Sequence, residues 1–310
     1  MFGTRSPMNI MTVEEQAKQM AYIEEYQAKK KATQPKCKPP IKWVGGKTQL
    51  LDKLFSLFPK NINNYFELFV GGGSVLIRLL ETIKIAGKIH AYDINKVLIG
   101  MYKNIQNNID ELIKYLSKYE TTYLDIKELN DKESYYYSIR TKFNKMSVED
   151  KLKPEGSALF IFINKTCFRG LHREGPNGFN VAFGNYAKPD FGIDNLKNLS
   201  KLFQNVIFEV IDYKDAFKKI DKNDFVYLDP PYVPTDKKSF VKYNENGFNI
   251  KDHLELFSLA KTKTFLMSNS NAELVIDNFK DCKINYIDAK RLINAINPEA
   301  KAVETLIYNF

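Results

Sequence analysis

Phe225-Val226-Tyr227-Leu228-Asp229-Pro230-Pro231-Tyr232 decides how this chain is read. Four apolar residues ending on an acid and two prolines describe a buried strand that stops abruptly at the carboxyl edge of a sheet. In open α/β sheets that edge is where ligands bind. The residues past the strand suit an amino group carried on a flat ring. Such a nitrogen is a poor nucleophile, because its lone pair is delocalised into the ring. The Asp229 carboxylate and the Pro230 carbonyl could accept its two N–H bonds, draw it toward pyramidal geometry and free the lone pair. Pro230 and Pro231 fix φ and bring no N–H of their own. The Tyr232 ring could stack on a base, a contact worth ~1–3 kcal/mol in nucleic-acid complexes. A rigid surface turn with a capping acid is the plainer reading. Acid, paired prolines and aromatic together weigh against it.

Working outward, strands and helices alternate on both sides of this segment. Before it stand a strand over 65–69, a glycine turn at Gly71-Gly72-Gly73, a helix over 74–83 and a strand over 88–92 ending at Asp93. The apolar spacing of 95–119 predicts one long helix. Between about 121 and 189 the alternation lapses. This stretch holds Tyr135-Tyr136-Tyr137, a helical run to Lys145, an apolar run over 158–163 and a glycine-rich hairpin candidate over 170–184. Alternation resumes with strands over 206–210, 225–228 and 264–267 and helices over 215–220, 252–261 and 271–280. The segments 283–287 and 305–308 close the sheet. The simplest architecture is one α/β sheet domain, residues 41–119 and 190–310, interrupted by an inserted lobe over 120–189. Residues 1–40 read as an appendage: Thr12-Val13-Glu14-Glu15 fits a capping box before a helix-friendly stretch over 16–31, and Pro35, Pro39 and Pro40 follow as a linker.

Composition narrows the class. The 310 residues are 44% hydrophobic, and 46 Lys+Arg against 37 Asp+Glu give a net +9, which suits a polyanionic partner. Cys37, Cys167 and Cys282 form no CxxC pair, so neither a zinc site nor a disulfide framework is expected. No apolar run approaches the ~18–20 residues that span a bilayer, and no signal-peptide core stands at the amino terminus. A soluble, intracellular protein is the expectation.

Two further motifs carry chemistry. Glycines between a strand and a helix, as in Glu67-Leu68-Phe69-Val70-Gly71-Gly72-Gly73, let backbone approach a ligand and aim helix N–H groups at it. Asp93 then tips the next strand near the ~20-residue offset at which an acid binds a ribose diol. Alone these would be a tight turn and an N-cap, a job that Asn95 could share. Together, and with a second acid-tipped strand at Asp229, they favour ribose. Lys42-Trp43-Val44-Gly45-Gly46-Lys47 holds the only tryptophan, which could border a charged, adenosine-containing ligand or seal a core edge.

These four motifs, Lys42–Lys47, Phe69–Gly73, Asp93-Ile94-Asn95 and Asp229–Tyr232, stand in the order seen in DNA adenine N6-methyltransferases. The chain resembles their Dam-like, or D12, class from about Ile41 to its end. The resemblance implies a Rossmann-like, S-adenosylmethionine-dependent methyltransferase sheet with an inserted, mainly helical target-recognition lobe carrying a β-hairpin. It implies site-specific methylation of N6 of a flipped-out adenine in double-stranded DNA, with Asp229, Pro230, Pro231 and Tyr232 catalytic and no metal. It places cofactor contacts at Trp43, Lys47, Asp93 and Asp229, beside Phe69, Gly71, Gly72, Gly73 and Ile94, with Asp212 a candidate for the cofactor's adenine amino group. It also admits a separate cognate restriction endonuclease as partner. RNA adenine, a protein glutamine amide, or a catalytically silent DNA-binding module are the alternatives, and the hairpin content and intact motifs weigh against them.

Within the lobe, Asn164–Arg173 and Gly178–Gly184 resemble the family's DNA-contacting hairpin. Phe168 could wedge into a base step, and Arg169 and Arg173 could engage phosphate or a guanine edge. Arg169 stands where the family often has Asn, so its phosphate and base roles both stay open; Arg173 is the stronger base reader. Asn180 belongs to the same surface. His172 reads equally as a local hydrogen-bonding side chain or a reader. Lys237, Lys238 and Lys242 follow the tetrapeptide where a DNA strand would pass, though each alone is also ordinary solvated surface. Ser268-Asn269-Ser270 could shape the pocket, and Asn294 and Asn297 could face DNA.

Overall fold

Strand residues alternate between two apolar layers, and this alternation builds the molecule. The computed structural model describes residues 36–235, 248–290 and 301–310. The helix read over 16–31, Lys237, Lys238, Lys242, Asn294 and Asn297 lie outside them. In chain order the described elements are α1 (Leu51–Phe55), β1 (Tyr65–Glu67), α2 (Ser74–Thr82), β2 (Ile89–Asp93), α3 (Lys96–Asn107), α4 (Ile109–Asp125), α5 (Leu129–Lys145), α6 (Val148–Lys151) and α7 (Pro154–Thr166). A hairpin, β3 (Glu174–Gly175) and β4 (Gly178–Phe179), follows. Then come α8 (Ile193–Leu202), β5 (Val206–Val210), α9 (Tyr213–Phe217), β6 (Phe225–Leu228), α10 (Ile250–Ala260), β7 (Thr264–Ser270), α11 (Glu273–Asn278), β8 (Lys283–Lys290) and β9 (Lys301–Tyr308).

Seven strands form one sheet in the order β5-β2-β1-β6-β7-β9-β8. The first five run parallel, and β9 enters antiparallel between β7 and β8. This is a mixed, mostly parallel, Rossmann-like sheet. Tyr65, Phe225 and Tyr227 face one apolar layer with Leu76, Leu98 and Leu159; Phe66, Val226 and Leu228 face the other with Ala216, Leu256 and Val275. Burial on both faces is why the strand before Asp229 reads as an unbroken apolar run rather than an alternating one. β1 pairs with β2 on one side and β6 on the other, so the strand order reverses there. A crevice opens beyond the carboxyl ends of such strands. The chain places Asp93 and Asp229 at those ends, with Glu67 closing β1.

One expectation changes, and two stretches without an assigned element become helices. The stretch 95–119 is two helices, because Asn108 leaves the helical region (φ −132°, ψ 34°) and serves as cap to both. The Asn108 side-chain amide donates to Asn104 Oδ1 at 2.9 Å, and its backbone N–H donates to the Asn104 carbonyl, closing α3. The apolar run over 158–163 is the centre of α7, entered through Pro154 in the first turn and wholly buried from Ala158 to Ile163. α7 packs on α3, α4 and α5 within the same core cluster as the sheet, and Asn104 Nδ2 donates to Leu152 O and Ser157 Oγ at 2.7 and 2.8 Å. Finally, α8 stands where no element was read, burying Leu196 and Leu199.

Candidate active site

The crevice is a cavity of about 1470 Å³. Trp43, Lys47, Phe69, Gly71, Gly72, Asp93, Ile94, Asp212, Asp229, Pro230, Pro231 and Tyr232 all line it, so residues scattered over 190 positions of sequence meet at one place.

The glycine turn is locked from both sides. Gly71 N–H donates to Asp93 Oδ2 at 3.1 Å, and its carbonyl accepts the Tyr102 hydroxyl at 2.8 Å. Gly71 sits at φ +48°, and a Cβ there would come within 3.0 Å of the Trp43 ring; one on Gly72 would reach Trp43 Cβ at 2.9 Å. The indole therefore lies directly over the turn. Gly73 does not line the cavity: it caps α2 with φ +75°, and a Cβ would press to 2.7 Å of the Tyr102 hydroxyl. Its need is steric. The other Asp93 oxygen accepts Asn95 N–H at 3.0 Å, and burial holds the Asp93 carboxyl above its ordinary pKa despite these bonds. Asn95, not Asp93, caps α3, accepting Leu98 N–H. Asp212 caps α9 through Lys214 N–H at 2.9 Å.

Around Asp229 the charges are concentrated. Lys47, 4% exposed, reaches Asp229 Oδ2 at 2.8 Å and the Gly45 carbonyl at 2.5 Å, with its ammonium 5.0 Å from the Tyr232 ring centroid. Asp229 Oδ1 is buried and has no hydrogen-bond partner. Burial, with the Glu304 charge behind it, raises the Asp229 pKa, and the Lys47 ammonium and the Tyr232 hydroxyl only partly oppose it. Glu67 lies buried at the tip of β1, accepts the Tyr65 hydroxyl at 2.7 Å, and is pushed up to about 8 by burial, with the Asp229 charge adding to the effect. Glu304 accepts the Tyr232 hydroxyl at 2.8 Å. Opposite this charged group, Phe69, Tyr213 and Phe248 form an aromatic wall with centroids 5.4–6.0 Å apart. Glu67, Glu304, Tyr213 and Phe248 went unread in the sequence. Glu67 was signalled by its place at a strand tip before the glycines. Glu304 had no local signal.

Ser268-Asn269-Ser270 stands behind the site rather than in it. All three are buried; Asn269 Oδ1 accepts Val233 N–H at 3.1 Å, and Ser270 Oγ donates to the Val233 carbonyl at 2.5 Å. The strand end clamps the backbone that follows the prolines.

The lobe residues lie outside the cavity but touch its wall. Phe168 is 48% exposed, and Arg169, held at φ +55°, stacks its guanidinium 5.2 Å from the Phe168 ring. Arg173 donates from Nε to Asn180 Oδ1 at 2.6 Å, so two of the four DNA candidates in this part of the lobe hold one another. His172 is no surface reader: its ring stacks on Trp43 at 4.9 Å and meets Phe160 and Phe179 edge-on. Asn164 ties the same segment to the Trp43 loop, accepting Lys42 N–H at 2.8 Å and donating to the Lys42 and Gly170 carbonyls. No cluster of His, Cys, Asp and Glu among the described residues could hold a metal, and no described helix is long and apolar enough to cross a membrane.

The sequence is similar to that of known proteins. The family model for the D12 class N6 adenine-specific DNA methyltransferase matches residues 43–293. The Type II methyltransferase M.MjaIII of Methanocaldococcus jannaschii is 38% identical over 289 residues, covering 88% of this chain and 99% of its own. The Type II methyltransferase M1.LlaDCHI of Lactococcus lactis subsp. cremoris is 30% identical over 285 residues, with 88% and 95% covered. A DNA adenine methylase of Haemophilus influenzae is 31% identical over 294 residues, with 91% and 97% covered. An acid-tipped parallel sheet, a glycine turn under a tryptophan and a match across nearly all of its described length lead to one assignment: this chain belongs to the D12 class of N6 adenine-specific DNA methyltransferases, enzymes of site-specific adenine methylation in DNA.

Proposed function

We propose that the cavity takes S-adenosyl-L-methionine and that the enzyme methylates N6 of an adenine turned out of duplex DNA, with Asp229 as the acceptor that orients the amine. Asp229 Oδ1 carries this reading: a buried carboxylate oxygen without a partner, in a cavity, is a place built for an N–H donor. The donor set also fits a cationic, adenosine-containing group. Asp229 pairs with the Lys47 ammonium, Glu67 and Glu304 line the same cavity, Asp93 stands beside the glycine turn, and the aromatic wall offers a face to a purine.

The bound donor supplies a methyl group on a sulfonium that is already activated. The chain supplies position. Asp229 Oδ1 and the Pro230 carbonyl accept the two amine hydrogens and aim the nitrogen lone pair; Lys47 favours the ionised form of Asp229 and fixes its Oδ2. Tyr232 gives the ring on which the extruded base stacks. Asp229 has no need to act as a strong base, since the methylated amine is acidic and sheds its proton afterwards. Extrusion costs a few kcal/mol, which Phe168 offsets by filling the emptied step. Arg169, Arg173, Asn180, Lys237 and Lys238 are assigned to DNA, with Arg173 the base reader. The segment 120–189 is proposed as the target-recognition lobe. A restriction endonuclease of the same specificity would act as a separate protein.

The test is transfer of labelled methyl from S-adenosylmethionine to duplex DNA, to RNA of the same sequence and to protein, followed by mass spectrometry of the nucleosides. Label in N6-methyldeoxyadenosine from duplex DNA is expected. Equal or faster labelling of RNA or protein would overturn the substrate assignment.

A further inference from the structure

Glu304 reaches the active site from the far end of the chain. It stands opposite Ser270 in the β7–β9 pair, and because β9 runs against the parallel strands, its early residues arrive at the edge where Asp229 sits. Its Oε2 accepts the Tyr232 hydroxyl at 2.8 Å. That phenol keeps its proton, since burial and the charges of Asp229 and Glu304 raise its pKa far above the ordinary value. A phenol that stays protonated has one hydrogen to place. Asp229 and Glu304 both lie close to it. Asp229 Oδ2 is held by Lys47, and Oδ1 takes no well-formed hydrogen bond, although the Tyr232 hydroxyl lies near enough to Asp229 to help lower its pKa. The hydrogen goes to Glu304, and this leaves Oδ1 free.

We infer that Glu304 is a positioning residue for methyl transfer: by taking the Tyr232 hydroxyl hydrogen it fixes the ring that receives the base and keeps that hydrogen off Asp229 Oδ1, the acceptor the target amine requires. The inference rests on the adenine-acceptor reading of Asp229 given above. Without Glu304, the Tyr232 hydroxyl turns to the nearest remaining carboxylate, and a hydrogen bond inside the protein competes with the substrate for Oδ1. The effect belongs to the methyl-transfer step rather than to DNA affinity, because Glu304 acts through Tyr232 and Asp229 inside the cavity.

A double-mutant cycle tests it, using single-turnover rates on duplex DNA at saturating S-adenosylmethionine with Glu304→Leu, Glu304→Gln, Tyr232→Phe and the Glu304→Leu/Tyr232→Phe pair. Glu304→Leu is expected to slow transfer about tenfold or more, the scale of one misplaced hydrogen bond, with KM for DNA little changed. Glu304→Gln keeps an acceptor oxygen and is expected to recover most of that loss. In the Tyr232→Phe background, where the hydrogen is gone, Glu304→Leu should have no further effect. Thermal melting of each variant separates loss of fold from loss of rate, and Glu304→Gln, nearly isosteric, carries the test if the leucine variant melts early. Additive losses in the cycle, or equal losses for Gln and Leu, would overturn the inference while leaving the methyltransferase reading in place. A wild-type enzyme that methylates no DNA adenine would overturn that reading, and the inference with it.

Discussion

Asp229 is held at one oxygen and open at the other, and the pH dependence of the enzyme follows from this. Transfer needs the ionised carboxylate. Burial raises its pKa, so activity should fall on the acid side through a value above the usual ~3.9 of an aspartate. A pH profile of kcat/KM measures it, and an acid limb at or below 4 would contradict the burial argument. Glu67 gives a stability signature instead. Its folded pKa of about 8 lies above the ordinary carboxylate value of 4.5, so the folded protein holds an extra proton between those limits. Stability therefore falls as pH rises from about 4.5 to about 8. Glu67→Gln removes this loss and should gain roughly 3 kcal/mol at pH 7, at ~1.4 kcal/mol per pH unit, with little gain at pH 5. Denaturant melts at the two pH values check it. Asp93→Ala should weaken S-adenosylmethionine binding by ~1.5–3 kcal/mol, the worth of a charge-assisted hydrogen bond, read by calorimetry.

At the scale of elements, the hairpin and the strands differ in what local sequence tells. The strand over 225–228 was legible to the residue, because burial on both faces and the prolines leave no other reading. The turn at Gly71 and the tips at Asp93 and Asp229 were legible for the same local reason. Asn108 shows the limit: apolar spacing carries through it, and only its cap geometry reveals the break. Glu304 and the clamp at Asn269 depend on which strands become neighbours, a consequence of the reversed β9 that no window of sequence holds. His172 was ambiguous until its stack on Trp43 placed it between hairpin and cavity. The hairpin itself makes two separable predictions. Arg173→Ala should relax sequence choice by ~1–3 kcal/mol, the worth of a bidentate guanine contact, seen by mapping methylated sites. Phe168→Ala should slow transfer to matched duplexes and spare mismatched ones, because a wedge chiefly offsets unstacking. Equal loss at all sites in the first, or equal slowing on both duplexes in the second, would remove these residues from those roles.

For the whole molecule, the net charge of +9 has meaning only beside the acidic cavity. The cavity gathers carboxylates for a cation, so the basic excess is spread over the rest of the chain, where it suits phosphates. DNA affinity should then fall steeply with salt, with a log–log slope near −0.9 for each phosphate neutralised. A slope near zero would contradict duplex DNA as the partner. The central claim is that this cavity methylates adenine N6 through Asp229, and mapping N6-methyladenine in DNA tests it most directly. The DNA should come from a host without adenine methylation that expresses either the wild-type chain or Asp229→Ala, the two matched in level and in melting temperature. The account predicts methylated adenine within one short recurring sequence for the wild type, and none for the variant. Unmodified DNA from the wild type, or the same marks from Asp229→Ala, would contradict it.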